Sequence, residues 1–345
     1  MSLCSPCAKS ALTDVERSPF ASAPLIESAS CATELPTDGL FTTAAAAMDT
    51  VVSLRVVTTA DDPLLSTRVE RALGWFSLVE GTCSRFDPGS ELMIVSQTVG
   101  KPVPVSDILY GAIEVAIEVA RLSEGAFDPT IGLFLERAGF NRHYLTGKRV
   151  LTPYGADYRP TYRDVRLDPR RKTVTLRRPL ILDLGAVAKG MAIDLAAREL
   201  AAYRGFAVEA GGDLYVGGCN ERGTAWQVGI KHPLRPYTLI DTLAVSNAAI
   251  CTSGAYERRV QAGPVIHHIL DPRAGASAGG AASATVVAPT AMLADALSTA
   301  AFVLGPRLGM GFLERAGVEG LIITPELERK ATHGYARYTA DSIRH

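Results

Sequence analysis

The 345-residue sequence predicts an α+β fold of mixed, largely antiparallel sheets with packed helices. Three observations predict it. The second half is a run of short apolar stretches separated by Gly-rich turns, at 180–184, 206–209, 214–216, 226–230, 239–245, 265–270 and 285–288. Helical patterns interrupt that run only at 187–202, 290–304 and 307–316. Neighbouring strands without a helix between them pair antiparallel, because a parallel pair needs a long crossover. Third, no Gly-x-Gly-x-x-Gly opens a helix after a strand, which leaves a doubly wound dinucleotide fold without support.

The elements follow in order. Residues 1–45 are rich in Ser, Ala, Thr and Pro and lack periodicity, so they read as a flexible tail ahead of one domain spanning 46–345. Residues 51–57, rich in β-branched side chains, read as a strand. Residues 63–80 place Val69, Leu73, Phe76 and Val79 near a 3.6-residue period and read as a helix. A turn-rich loop covers 83–91. Ser106 is a fitting N-cap for a helix over 107–123, with Gly125 as its stop. Residues 140–180 are basic and turn-rich, with a strand at Thr173–Leu176, and no fixed-period repeat is visible.

Composition narrows the function classes. With a net charge of −1, there is no bulk attraction to nucleic acid or anionic membrane, so any anion site must be local. The six cysteines, Cys4, Cys7, Cys31, Cys83, Cys219 and Cys251, do not form a dense disulfide pattern. Cys4 and Cys7 lack the further ligands that zinc needs. No apolar run reaches membrane-spanning length and no secretory pattern opens the chain, so the expected location is the cytoplasm.

Two segments carry the strongest chemical signal. In the segment running from Ile181 to Gly190, a strand feeds a Gly turn and then a helix. Such a junction offers free N–H groups and a positive dipole end to an anion, with Asp183 at the mouth and Lys189 in the first turns. Capping by Asp183 and solvation of Lys189 would explain the same residues. In the segment 288–299, Thr290 is a fitting cap, and Asp295 and Thr299 share one helix face among apolar neighbours. A carboxylate and a hydroxyl one turn apart suit a hard cation such as Mg²⁺. Four further segments are weaker taken singly. Residues 124–132 contain Ala126, Phe127 and Asp128 before a Pro turn. Residues 267–275 contain His268, Asp271 and Arg273. Residues 210–213 and 251–258 read as Gly turns between strands.

Taken in order, these motifs resemble the ApbE family, the FAD:protein FMN transferases. The likeness covers residues 48–305 and rests on Met48-Asp49-Thr50, Ser84-Arg85-Phe86, Ala126 through Thr130, Asp183 through Asp194, Gly211-Gly212-Asp213, Thr252-Ser253-Gly254, His268 through Gly275, and Ala294 through Thr299. The resemblance implies a T-fold-like architecture and contact with FAD by Met48, Phe86, Ala126, Phe127, Asp128, Asp183, Lys189 and Ile269. It implies a metal, Mg²⁺, held by Asp295, Thr299 and the main-chain oxygen of Ala186, with His268 near the reacting phosphate. The implied reaction moves FMN from FAD to a threonine of an acceptor flavoprotein and releases AMP. His268 and Asp271 are the candidates for the base that accepts the threonine proton. FAD hydrolysis to FMN and AMP, or FAD binding without turnover, are the alternatives. Two positions depart from the family pattern. Phe86 stands where a tyrosine is common, and Ala255-Tyr256 follows Thr-Ser-Gly where Asp-Tyr is common.

Overall fold

The computed structural model describes residues 39–339, apart from residues 60, 143–146, 148, 151, 153–157, 257–258 and 262–264. Two strands open it, β1 (Gly39–Ala47) and β2 (Thr50–Thr58), paired antiparallel around the two-residue turn Met48-Asp49. Both turn residues take left-handed backbone conformations, with φ of 52° and 61°. That geometry matches the twist of the flanking strands, although Asn-Gly usually supplies it. β1 overturns part of the expected tail. Residues 39–45 form an edge strand of small and apolar residues, and its exposure on both faces is why no alternation marks it. The remainder of the expected tail, residues 1–38 with Cys4, Cys7 and Cys31, lies outside the described residues.

Helices α1 (Leu65–Cys83), α2 (Glu91–Gln97), α3 (Asp107–Leu122) and α4 (Gly132–Arg137) follow. Ser106 caps α3 by accepting from the Leu109 backbone N–H at 3.3 Å, as its position predicts. α2 follows the expected loop, in a stretch where no element was expected. Ser90 caps it by accepting from the Met93 N–H at 3.1 Å. Strands β3 (Val103–Pro104), β4 (Val165–Asp168) and β5 (Thr173–Leu176) form a small sheet in the order β3-β5-β4.

The expected strand at 180–184 is not one. Its run of apolar residues joins no sheet and lies in the core beside residues 129–132. The Asp183 N–H donates to the Pro129 carbonyl at 2.8 Å, and the Gly132 N–H donates to the Ile181 carbonyl at 3.2 Å. Helix α5 (Gly185–Leu200) begins directly after it.

From here the chain is mostly strand, with β6 (Gly205–Ala210), β7 (Asp213–Gly218), β8 (Trp226–Lys231), β9 (Leu239–Val245) and β10 (Ala248–Gly254). Short pieces β11 (Arg259–Gln261), β12 (Val265–His267), β13 (Leu270–Asp271) and β14 (Ala276–Ser277) precede β15 (Ser283–Ala288). The expected single strand at 265–270 is thus broken at His268-Ile269. Helix α6 (Ala291–Ala316), β16 (Glu319–Ile323) and β17 (Arg329–Ala331) complete the set. The Thr-Ser-Gly segment, expected to be a turn, is the end of β10.

One eight-stranded sheet organises these pieces, in the order β1-β2-β6-β7-β10-β15-β16-β17, with every pair antiparallel. Helices α1, α3, α5 and α6 bury one face of it in the main apolar core. The β8–β9 ribbon covers the other face through Trp226, Val228, Ile230, Leu243 and Val245. α6 is long and apolar enough to cross a bilayer, contrary to the expectation that no segment is. Here it is largely buried in the core, and it kinks at Gly305-Pro306, where Gly305 has φ 72°. The two helices expected at 290–304 and 307–316 are the two halves of this kinked helix.

Helices α5 and α6 cross at close range, because Gly190 leaves room for the Ala291 carbonyl and the Met292 Cα. A Cβ at position 190 would collide with both, and neither backbone atom can move cheaply. Gly190→Ala is expected to destabilise the protein by about 1–3 kcal/mol, read as a lowered midpoint in urea unfolding. A midpoint equal to that of the parent would show that the crossing is loose.

Candidate functional site

A cleft of about 570 Å³ opens at one end of the large sheet, where the Met48-Asp49 turn, the Gly211-Gly212 turn between β6 and β7, and the end of β10 come together. Each element presents its residues for a local reason. Gly211 has φ 62°, and a Cβ there would press on the Thr50 hydroxyl at 2.9 Å, so the two turns can lie side by side only because it is glycine. The Met48 N–H donates to Glu80 Oε2 at 3.1 Å, which ties the first turn to α1.

The floor is a charge cluster. The Lys189 ammonium on α5 donates to Asp213 Oδ2 at the start of β7 and, at 3.1 Å, to Asp295 Oδ2 on α6. Asp213 Oδ1 accepts from the Thr252 N–H of β10 at 2.9 Å. One turn beyond Asp295, the Thr299 hydroxyl lies 3.0 Å from Ser253 Oγ, which is also 2.9 Å from Ser298 Oγ. Ala186 departs from helical geometry, with φ −93° and ψ 18°.

One wall centres on Asp183. Its Oδ1 accepts from the Gly185 N–H at 2.9 Å, and its Oδ2 takes the Arg85 Nε–H. Asp183 therefore caps the start of α5 and also lines the cleft. Arg85 is held further by the Phe140 carbonyl, and its guanidinium lies 4.1 Å over the Phe86 ring. Its Nη1 is buried with no hydrogen-bond partner among the described residues.

Asp128 is placed differently from a ligand-facing carboxylate. Its oxygens accept from Thr130 N–H (2.9 Å), Thr130 Oγ1 (2.7 Å) and Tyr162 N–H (2.9 Å). Burial raises its pKa against the lowering effect of those bonds. It fixes the turn that presents Ala126 and Phe127 to the cleft.

Of the residues singled out in the sequence, Met48, Phe86, Ala126, Phe127, Asp128, Asp183, Ala186, Lys189, His268, Ile269, Asp295 and Thr299 all line this cleft. Asp271 does not. Its oxygens accept from Arg273 Nε and Nη2, both at 2.9 Å, and from the Arg273 backbone N–H. Burial acts to raise its pKa, but these bonds outweigh burial and hold it below the usual carboxylate value. Its neighbours Leu270 and Pro272 reach the cleft instead. His268 lies edge-on to Phe140, with ring centroids 6.3 Å apart.

The same set of segments recurs in known proteins. The family model described as the ApbE family matches residues 48–322.

The chain belongs to the ApbE family.

The FAD:protein FMN transferase of Treponema pallidum is 33% identical over 69% of this chain and 72% of its own length. That of Vibrio cholerae is 28% identical over 83% and 85%. Among solved structures, the ApbE protein of Thermotoga maritima superposes with a TM-score of 0.77 at 30% identity, covering 87% of this chain and 99% of its own. The first two relatives are named as transferases, and this ApbE chain shares the architecture of the Thermotoga maritima protein.

Sequence reasoning passed over several site groups. Arg85 was visible only as part of a loop, and its role depends on contact with Asp183 almost a hundred residues away. Asp213, quoted with its Gly turn, has no helical or strand period to flag it as the partner of Lys189. Asp194 on α5 is the third. Its Oδ1 and Oδ2 accept from the Ala291 N–H (2.7 Å) and Met292 N–H (2.9 Å), which anchors the start of α6 one turn before Asp295. Burial pushes its pKa up to about 7, despite those bonds and the nearby Arg198.

The folded state therefore keeps a proton on Asp194 that the unfolded chain releases above about 4. Its contribution is fully present below that pH and is lost as pH rises towards 7. Asp194→Asn keeps the shape but offers one acceptor to two N–H groups, and is expected to cost about 1–3 kcal/mol. The gap in melting temperature between parent and variant should be widest near pH 4 and narrow by pH 7. A gap that widens with pH would reverse the assignment.

Proposed function

We propose that this ApbE chain transfers FMN from FAD to a threonine hydroxyl of an acceptor flavoprotein, releasing AMP, with Mg²⁺ as the metal. The observation that carries the reading is convergence. Eight segments spread over some 250 residues meet around one cleft, whose volume lies in the range of small-molecule and cofactor sites.

The flavin's apolar ring system suits the wall made by Phe86, Phe127, Met48 and Ile269. Phe86 supplies a flat face already backed by Arg85, and stacking needs no hydroxyl there. The Lys189 ammonium and the positive end of the α5 dipole favour an anion here, so the pyrophosphate belongs between Asp183 and Lys189. Asp183 would then orient this junction through Gly185 and the ligand through its position at the mouth.

The donor set fits a hard divalent cation. Asp213 and Asp295 bring two negative charges to one ammonium, so the floor of the cleft keeps a net negative charge. The carboxylate of Asp295, the hydroxyl of Thr299 and the carbonyl of Ala186 would hold Mg²⁺, an all-oxygen set that leaves positions for water and phosphate. When bound, the ion neutralises pyrophosphate charge and so favours departure of AMP.

In the reaction, the threonine oxygen bonds to the phosphorus of the FMN half, and the bond from that phosphorus to the bridging oxygen of AMP breaks. A base must take the hydroxyl proton. His268 is the better placed of the two candidates, because it faces the cleft while Asp271 is occupied by Arg273. Lys189 stabilises the charge that moves onto AMP.

The test is incubation with FAD, MgCl₂ and extract from the source cells, read as AMP release and flavin fluorescence on denatured protein. Release of FMN and AMP with no fluorescent protein would mean that water is the acceptor. Intact FAD that stays bound would mean a binding protein without turnover. Asp295→Ala is expected to lower the rate at least 100-fold and to abolish its dependence on Mg²⁺, with the melting temperature little changed. Unchanged activity at limiting Mg²⁺ would overturn the metal assignment. Asp183→Ala is expected to weaken FAD binding at least tenfold by fluorescence quenching, and equal affinity would reduce Asp183 to a cap.

A further inference from the structure

The loop that joins β8 to β9 has features that the cleft does not use. The direction of the ribbon is fixed by two contacts. Trp226, at the start of β8, donates from Nε1 to the Gly217 carbonyl at 3.1 Å, near the far end of β7. Lys231, at its end, places Nζ 3.7 Å from where a Cβ on Gly212 would stand, beside the cleft. The connecting residues 232–238 therefore project past the end of the sheet on which the cleft opens.

This loop is built to hold its shape. The His232 N–H donates to the Thr238 carbonyl at 2.9 Å, and His232 Nδ1 accepts from the N–H groups of Leu234 (3.1 Å) and Arg235 (3.2 Å). The Thr238 hydroxyl donates to the Arg235 carbonyl at 2.9 Å. Pro233 is buried as an anchor, and Pro236 restricts the tip. Yet the side chains it presents are apolar and open to solvent. Leu234 and Leu239 are each 58% exposed and Tyr237 is fully exposed. Tyr237 also takes φ 62°, a backbone conformation that a bulky residue rarely adopts. A rigid aromatic held out in a costly conformation beside a reactive cleft is the pattern of a contact anchor.

The tip itself is positively charged. From Lys231 to Ile240 the chain carries Lys231 and Arg235 and no acidic residue, and the Asp241 that follows is paired with Arg329. A partner that covers this tip should therefore combine apolar side chains with negative charge.

We infer that the 232–239 loop is the docking surface for the acceptor polypeptide, and that it engages an acidic segment with apolar side chains next to the threonine to be modified. This rests on the transfer reading above. Docking there would hold the acceptor at the cleft end of the sheet and raise the local concentration of its hydroxyl at the bound FAD. Leu234 and Tyr237 supply the apolar contact, and Arg235 the charge.

The test uses the full chain with FAD, MgCl₂ and source-cell extract freed of endogenous flavin, read as the initial rate at which flavin fluorescence appears on denatured protein. The double variant Leu234→Ser/Tyr237→Ser and the single variant Arg235→Glu alter exposed side chains only, and circular dichroism melts should match the parent. Each is expected to slow protein labelling at least tenfold while FAD affinity, measured by fluorescence quenching, stays within twofold. For Arg235→Glu the loss should shrink in 0.5 M NaCl, where the charge contact is already screened. Labelling within twofold of the parent for both variants would overturn the docking assignment and leave the transfer reading intact. No labelled protein with the parent chain would overturn both.

Discussion

The site depends on a single ammonium group placed between two carboxylates. Lys189 reaches from α5 to Asp213 on β7 and to Asp295 on α6, so one side chain joins three elements. Both carboxylates are largely shielded from water, so either would be costly without a counter-charge. The pair is held at the cleft floor because the ammonium neutralises half of its charge. The same arithmetic leaves one negative charge at the floor that Lys189 does not neutralise. Structure and chemistry are thus set by one contact, and separating them by mutation of Lys189 would be difficult.

Around that contact the fold supplies geometry through short turns. The cleft is bounded by sheet ends, and each end is a turn or strand terminus that can be aimed without disturbing the ladder behind it. Met48 and Gly211 show two ways of doing so. One is a non-glycine pair in a left-handed turn, tied down by Glu80, and the other is a glycine that yields space to a neighbouring hydroxyl. Helix starts supply the rest. α5 begins at the capped, kinked junction of Asp183 and Ala186, and α6 begins on Asp194.

What the sequence could and could not disclose follows from this arrangement. Ser106, the strand at Thr173–Leu176 and the break between residues 304 and 307 were legible because their signals are local. The antiparallel class was legible because runs of strands lack helices between them. β1 was hidden because an edge strand exposed on both faces needs no alternation, and small residues such as Ala44–Ala47 then look like a tail. The run at 180–184 misled because a segment buried on all sides is apolar throughout whether or not it joins a sheet. β10 was masked by the glycine at its end. At the site, the residues of the two strongest motifs were found from spacing and capping, whereas Arg85, Asp194 and the true setting of Asp271 needed three-dimensional contacts. Asp271 looked free because nothing in a linear reading shows that Arg273 folds back onto it.

The pairing of β2 with β6 has a further consequence, for the order of assembly. Val52 opposes Ala210, so the first hairpin joins the sheet only after roughly 150 intervening residues have been made and collapsed. Closing so long a loop costs entropy before any contact repays it, and such pairings form late and slowly. Until then β1 and β2 present two unpaired edges made of Thr, Ala and Val, which are open to association with other chains. The Met48 side of the cleft is the last to be built. A partly folded chain would thus have its helices and its Lys189 cluster before the cleft is closed on its Met48 side, and whatever binds in the cleft would be among the last groups to stabilise the N-terminal hairpin.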